Sequence, residues 1–61
     1  METVFYTPRE VADLLKLRTE TIYEYVREGK LRAVRLGNRY RISKADLEAF
    51  LAKARTEGVE G

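Results

Sequence analysis

Cysteine, histidine and tryptophan are absent from this 61-residue chain. Without cysteine there is no disulfide staple. Without cysteine or histidine the usual zinc sites, and catalysis by either side chain, are excluded. Ser43 is the only serine, and no histidine exists to activate it. No stretch approaches the roughly 18 apolar residues of a membrane span. Met1-Glu2-Thr3-Val4 also lacks the basic-then-apolar layout of a signal peptide. The expectation is a soluble, cytoplasmic protein that does not enter membranes. The length permits one small domain, which on folding buries only about 60% of its surface. Such a chain has no room for a large pocket, so no enzymatic activity, small-molecule substrate, cofactor or metal is expected.

Charge is present in quantity and unevenly placed. Net charge is only +2. From Arg27 to Lys44, however, seven cations face the single acid Glu28, a net +6, while the remainder carries five cations against nine acids, a net −4. A basic middle between acidic ends points to a localised polyanion contact.

Local patterns divide the chain. Thr7-Pro8-Arg9-Glu10 starts a helix with a capping box and Pro at the first helical position. Tyr6 and Val11 then occupy the positions of a hydrophobic staple. Val11, Ala12, Leu14 and Leu15 form the apolar face of a first helix over Pro8 to Leu15. Leu17, Thr21, Ile22, Tyr25 and Val26 follow a separate register. They predict a second helix from about Thr19 to Glu28, stopped by Gly29, with a tight turn between the two. Then the period becomes two. Val34 and Leu36, the turn Gly37-Asn38, and Tyr40 and Ile42 predict a β-hairpin with one apolar and one arginine face. Ser43 caps a third helix with the stripe Leu47, Phe50, Leu51 and Ala54. Residues 1–55 form the expected domain, and residues 56–61 a flexible tail with little to bury. The sum is a mainly α fold with a β-hairpin: a winged helix-turn-helix of three helices and a two-stranded wing.

Over Tyr6 to Leu51, 46 of the 61 residues, the sequence resembles the excisionase-type branch of the MerR-like winged-helix superfamily. The matching pieces are Tyr6-Thr7-Pro8-Arg9-Glu10-Val11-Ala12-Asp13-Leu14-Leu15 and Thr21-Ile22-Tyr23, followed by the wing and the third helix, Ser43-Lys44-Ala45-Asp46-Leu47-Glu48-Ala49-Phe50-Leu51. The most specific is the wing, Gly29-Lys30-Leu31-Arg32-Ala33-Val34-Arg35-Leu36-Gly37-Asn38-Arg39-Tyr40-Arg41-Ile42. The resemblance implies sequence-selective binding of double-stranded DNA without catalysis. The chain departs from the family pattern in four places. Lys16 stands where the family often has Gly, Arg18 and Thr19 where it often has Ser and Arg, and Glu24 where it often has Arg.

The candidate DNA contacts follow from the elements. A helix fits the major groove, and an arginine-bearing hairpin lies along the backbone or enters the minor groove. On the second helix the outward residues are Arg18, Thr19, Glu20, Tyr23 and Arg27; on the wing they are Arg35, Arg39 and Arg41. Glu20 and Glu24 are like charges four apart, and an acid facing a groove accepts from cytosine N4 or else repels phosphate. Tyr25, Tyr40 and Phe50 are read as core, and Arg9 and Lys16 as equally fit for solvent or flanking phosphate. Charged edge strands also simply deter aggregation, but acids would serve that purpose as well, and every charged residue from Lys30 to Lys44 is positive. The role is a small transcriptional regulator or an excisionase-like architectural factor for recombination. It would act by self-association on repeated sites or with a recombinase or transcription partner. The alternative is a protein-interaction adaptor that keeps the fold and has lost DNA, motivated by Glu20 and Glu24.

Overall fold

The computed structural model describes residues 3–57. Elements run in the order β1 (Phe5–Tyr6), α1 (Pro8–Leu15), α2 (Thr19–Arg27), β2 (Val34–Leu36), β3 (Arg39–Ser43) and α3 (Lys44–Glu57). The architecture is a winged helix-turn-helix with three helices, as the residue patterns predict.

The helix starts come from side-chain caps. Thr7 Oγ1 accepts from the Glu10 amide at 3.0 Å, and Glu10 Oε1 accepts from the Thr7 amide at 2.9 Å, closing the capping box of α1. Ser43 Oγ accepts from the Asp46 amide at 3.0 Å and starts α3. α3 continues through Thr56 and Glu57, so the expected tail is helical at its first two residues; residues 58–61 lie outside those described.

Two helices end on the same paired hydrogen bonds. Lys16 N–H reaches Asp13 O at 3.3 Å and Leu17 N–H reaches Ala12 O at 2.8 Å; Gly29 N–H reaches Val26 O at 3.1 Å and Lys30 N–H reaches Tyr25 O at 2.9 Å. This closure needs one left-handed residue. Gly29 supplies it at φ 78°, but at the first site Lys16 is held there, at φ 59°. An L-residue pays a steric penalty in that region which Gly avoids, offset in part by glycine's larger unfolded-state entropy. Lys16→Gly is therefore expected to stabilise the fold by roughly 0.5–1 kcal/mol. Thermal unfolding followed by circular dichroism should show a midpoint raised by about 4 °C.

The core is Val11, Ala12, Ile22, Leu31, Ile42 and Leu47, ringed by half-buried Tyr6, Leu15, Tyr25, Val26, Ala33, Phe50 and Leu51. Leu14, expected in the apolar face of α1, is 57% exposed. The buried side of α1 is centred on Pro8, Val11, Ala12 and Leu15, and at 100° per residue Leu14 falls roughly 110° from that centre. Leu17, also expected to face inward, is exposed in the turn.

The sheet has three strands in the order β1-β3-β2, one more than expected. The short β1 pairs with the end of β3, Phe5 with Ser43 and Tyr6 with Ile42. β2 pairs antiparallel with the beginning of β3: Val34 with Arg41, Arg35 with Tyr40, and Leu36 with Arg39. Directly paired residues share a face. The hairpin therefore does not have one apolar and one arginine face. Its inner face carries Arg35, Tyr40 and Ile42; its outer face carries Val34, Leu36, Arg39 and Arg41. The reason is the two-residue turn, in which Gly37 has φ 66° and Asn38 a negative φ, fitting a type II′ turn.

Candidate nucleic-acid interface

Three elements converge beside the first half of β3, where β1 no longer covers it. The start of α1 contributes Thr7, Pro8 and Arg9. α2 contributes Thr19 and Tyr23, which lie one turn apart. The wing contributes Asn38, Arg39, Tyr40 and Arg41. Together they line an open groove of about 400 Å³. Its charged residues are Arg9, Arg39 and Arg41, and no acid is among its lining residues.

An aromatic contact joins helix and wing. The rings of Tyr23 and Tyr40 meet edge to face with centroids 6.0 Å apart. An edge-to-face pair is directional and favours this orientation of the exposed side of α2 against the wing. Arg41, half-buried, donates from Nη1 to the Tyr40 carbonyl at 2.8 Å, which holds its guanidinium at the groove while leaving further donors free. Arg35 on the inner face donates from Nε to the Gly37 carbonyl at 3.0 Å and braces the turn.

Among the described residues the one side-chain ion pair is Lys30–Glu28, at 3.3 Å between two exposed side chains. None of the described arginines is neutralised by a described carboxylate of the chain itself. Arg18 occupies the N-cap of α2 in an extended conformation without a side-chain cap. The first amides of α2 thus lack a side-chain acceptor.

Of the eight residues expected to contact DNA, the groove gathers four: Thr19, Tyr23, Arg39 and Arg41. Arg18, the cap of α2 and the residue before Thr19, is not among the lining residues. Glu20 and Arg27 are exposed on the outward stripe of α2 with Glu24, outside the groove lining. Arg35 is on the opposite face of the hairpin from Arg39 and Arg41, against the expectation of a shared face. Thr7, Pro8, Asn38 and Tyr40 line the groove without having been expected there, and Arg9 joins them. No local signal marks Thr7, Pro8 and Arg9 for the site: β1, by pairing with β3, draws the start of α1 alongside the wing.

A family model described as a helix-turn-helix domain matches residues 5–55. The chain belongs to the excisionase-type helix-turn-helix family. Residues 5–55 are a helix-turn-helix domain of a DNA-binding family that is typically non-enzymatic. Over 54 residues it is 39% identical to the uncharacterized protein YvgK of Bacillus subtilis (strain 168), a match covering 88% of this chain. The matched part is 18% of that relative's length, so the family domain here corresponds to a minor portion of it. No helix among the described residues is long and apolar enough to cross a membrane.

Proposed function

We propose that residues 1–55 form a sequence-selective DNA-binding domain that uses α2 and the wing on one duplex. The start of α2 enters the major groove, with Arg18, Thr19, Glu20, Tyr23 and Arg27 facing bases and flanking phosphates. The groove between α2 and the wing receives one sugar-phosphate strand, held by Arg9, Arg39 and Arg41. The wing tip continues into the adjacent minor groove, where negative potential favours arginine. Arg35 acts at the edge of this surface, mainly by bracing the turn. The observation that carries this reading is the groove itself: three cations from two separate elements, no acid in its lining, and no ion pair to a described carboxylate on any of them.

Glu20 and Glu24 fit the same arrangement. An acid near phosphates weakens non-specific binding and accepts from cytosine N4, so it favours a specific site over the rest. One such domain covers a short half-site, and useful affinity then needs repeated sites or a partner. A transcriptional regulator and an architectural factor for recombination would share this interface.

A salt titration tests the reading. With four to six basic groups on phosphates, log affinity against log salt should fall with a slope of about −3.6 to −5.4. The duplexes are recovered by selection from random sequence, which also reports site length and repeat spacing. Affinity for them that does not respond to salt would overturn the proposal and favour a protein-binding adaptor.

A further inference from the structure

We propose that a second groove, between the end of α2 and α3, docks a short acidic segment of a partner protein through one apolar anchor. The inference goes beyond DNA binding and does not depend on it.

This groove encloses about 340 Å³ and is lined by Tyr25, Lys30, Phe50, Lys53 and Ala54. Tyr25 and Phe50 are half-buried, whereas Lys30, Lys53 and Ala54 are exposed. The two rings therefore form the floor and the two ammonium groups the rim. The rings are inclined at 42° with centroids 5.3 Å apart. Lys30 Nζ stands 6.0 Å from the centre of the Tyr25 ring, which keeps that cation over the floor. Phe50, Lys53 and Ala54 are neighbours on one side of α3, three and four residues apart. The apolar stripe of α3 starts at buried Leu47, passes through half-buried Phe50 and Leu51, and ends at exposed Ala54. It thus outruns the core and continues into the groove.

The groove lies away from the nucleic-acid interface. Tyr25 follows Tyr23 by two residues, about 200° around α2. No residue lines both grooves. A duplex held beside Tyr23 and the wing leaves this one open.

The lining selects the occupant. An aromatic floor of this size accepts one aromatic or branched side chain, the usual form of a buried anchor. Two ammonium groups at the rim, with no acid in the lining, repel a basic segment and attract carboxylates. The ion pair of Lys30 with Glu28 joins two exposed side chains, so it contributes little and exchanges readily for a partner's carboxylate. Glu28 also lowers the charge of the rim to 2 − 1 = +1. That suits one or two carboxylates. It is too little for a nucleic-acid strand, whose affinity comes from several phosphates neutralised together.

The test uses the full chain and a random library of short peptides displayed on phage. Recovered peptides should carry an apolar residue flanked by acids. One of them, fluorescently labelled, then serves as the probe in anisotropy titrations. Replacing its apolar anchor by glycine should weaken binding roughly ten- to hundredfold. Changing Lys30→Glu and Lys53→Glu together should weaken it by about tenfold or more. Both positions are exposed, so the melting curve should match wild type. The doubly reversed chain should in turn bind a peptide with lysines in place of the acids, which a misfolded chain would not do. A duplex selected by the chain should leave the labelled peptide bound. Recovered peptides without a preference for acids, or binding indifferent to the double reversal, would overturn the proposal. Displacement of the peptide by the duplex would overturn it as well and assign the groove to the nucleic-acid surface. Failure to bind any duplex would strike the DNA-binding reading alone, because the peptide measurements need no DNA.

Discussion

Removing Arg39 and Arg41 together should weaken binding to every duplex by roughly a hundredfold at about 0.1 M salt, while leaving the fold intact. Both side chains line the groove between α2 and the wing, and neither is paired with a described carboxylate. Each phosphate deprived of its arginine shrinks the salt slope by about 0.9, so the double alanine variant should be shallower by nearly two units. Arg35→Ala is the informative control. Arg35 lies on the inner face and ties its Nε to the Gly37 carbonyl, so its removal loosens the turn without deleting a groove cation. The slope for this variant should change by less than one unit. If the three arginines proved interchangeable, binding would depend on net charge alone and the groove would have no special standing. Gel-shift or anisotropy titrations at several salt concentrations, beside melting curves, separate these outcomes.

The different behaviour expected of Arg35 traces back to how much of the wing is legible in sequence. Alternation along each strand correctly groups Val34 with Leu36, and Tyr40 with Ile42. It does not say which group of one strand faces which group of the other. That depends on the parity of the turn. A two-residue turn pairs Leu36 with Arg39, and therefore an apolar set with a basic one. The parity is implicit in Gly37-Asn38, so the mixed outer face is derivable from sequence, whereas the expectation of one arginine face overlooks it. The helices are legible for a different reason: the Thr7–Glu10 box, the Ser43 cap and Gly29 are local signals acting within a few residues. β1 has no such signal. Two residues with one side chain inward and one outward show no periodicity, yet their pairing with Ile42 and Ser43 brings Arg9 into the groove that Arg39 also lines. The site is thus half legible: side chains on α2 and the wing follow from their own patterns, and the contribution of α1 requires the tertiary fold.

That dependence makes Ile22 the residue on which binding rests indirectly. Ile22 is fully buried at the centre of α2, in one cluster with Val11 and Ala12 of α1, Leu31 of the loop, Ile42 of β3 and Leu47 of α3. Four elements and a loop meet there, and nothing polar is buried among the described residues to share the role. Truncation to alanine removes three carbons and leaves a cavity that a core of so few side chains cannot fill, at a cost of about 3–4 kcal/mol. A domain of this length has a total stability of only about 3–9 kcal/mol. The midpoint of thermal unfolding should fall by roughly 15–30 °C, leaving a large unfolded population at physiological temperature. Leu14→Ala, on the same helical pair but 57% exposed, should change stability by less than about 0.5 kcal/mol. DNA affinity then distinguishes two ways to lose function. In Ile22→Ala, binding should recover on cooling, because the folded fraction that remains still presents Tyr23 against Tyr40 and keeps its groove. In the double arginine variant, cooling should recover nothing, because its scaffold is intact throughout. A Tm for Ile22→Ala within a few degrees of wild type would mean that α2 is held by its turn and caps alone, and the geometry of the groove would then need another support.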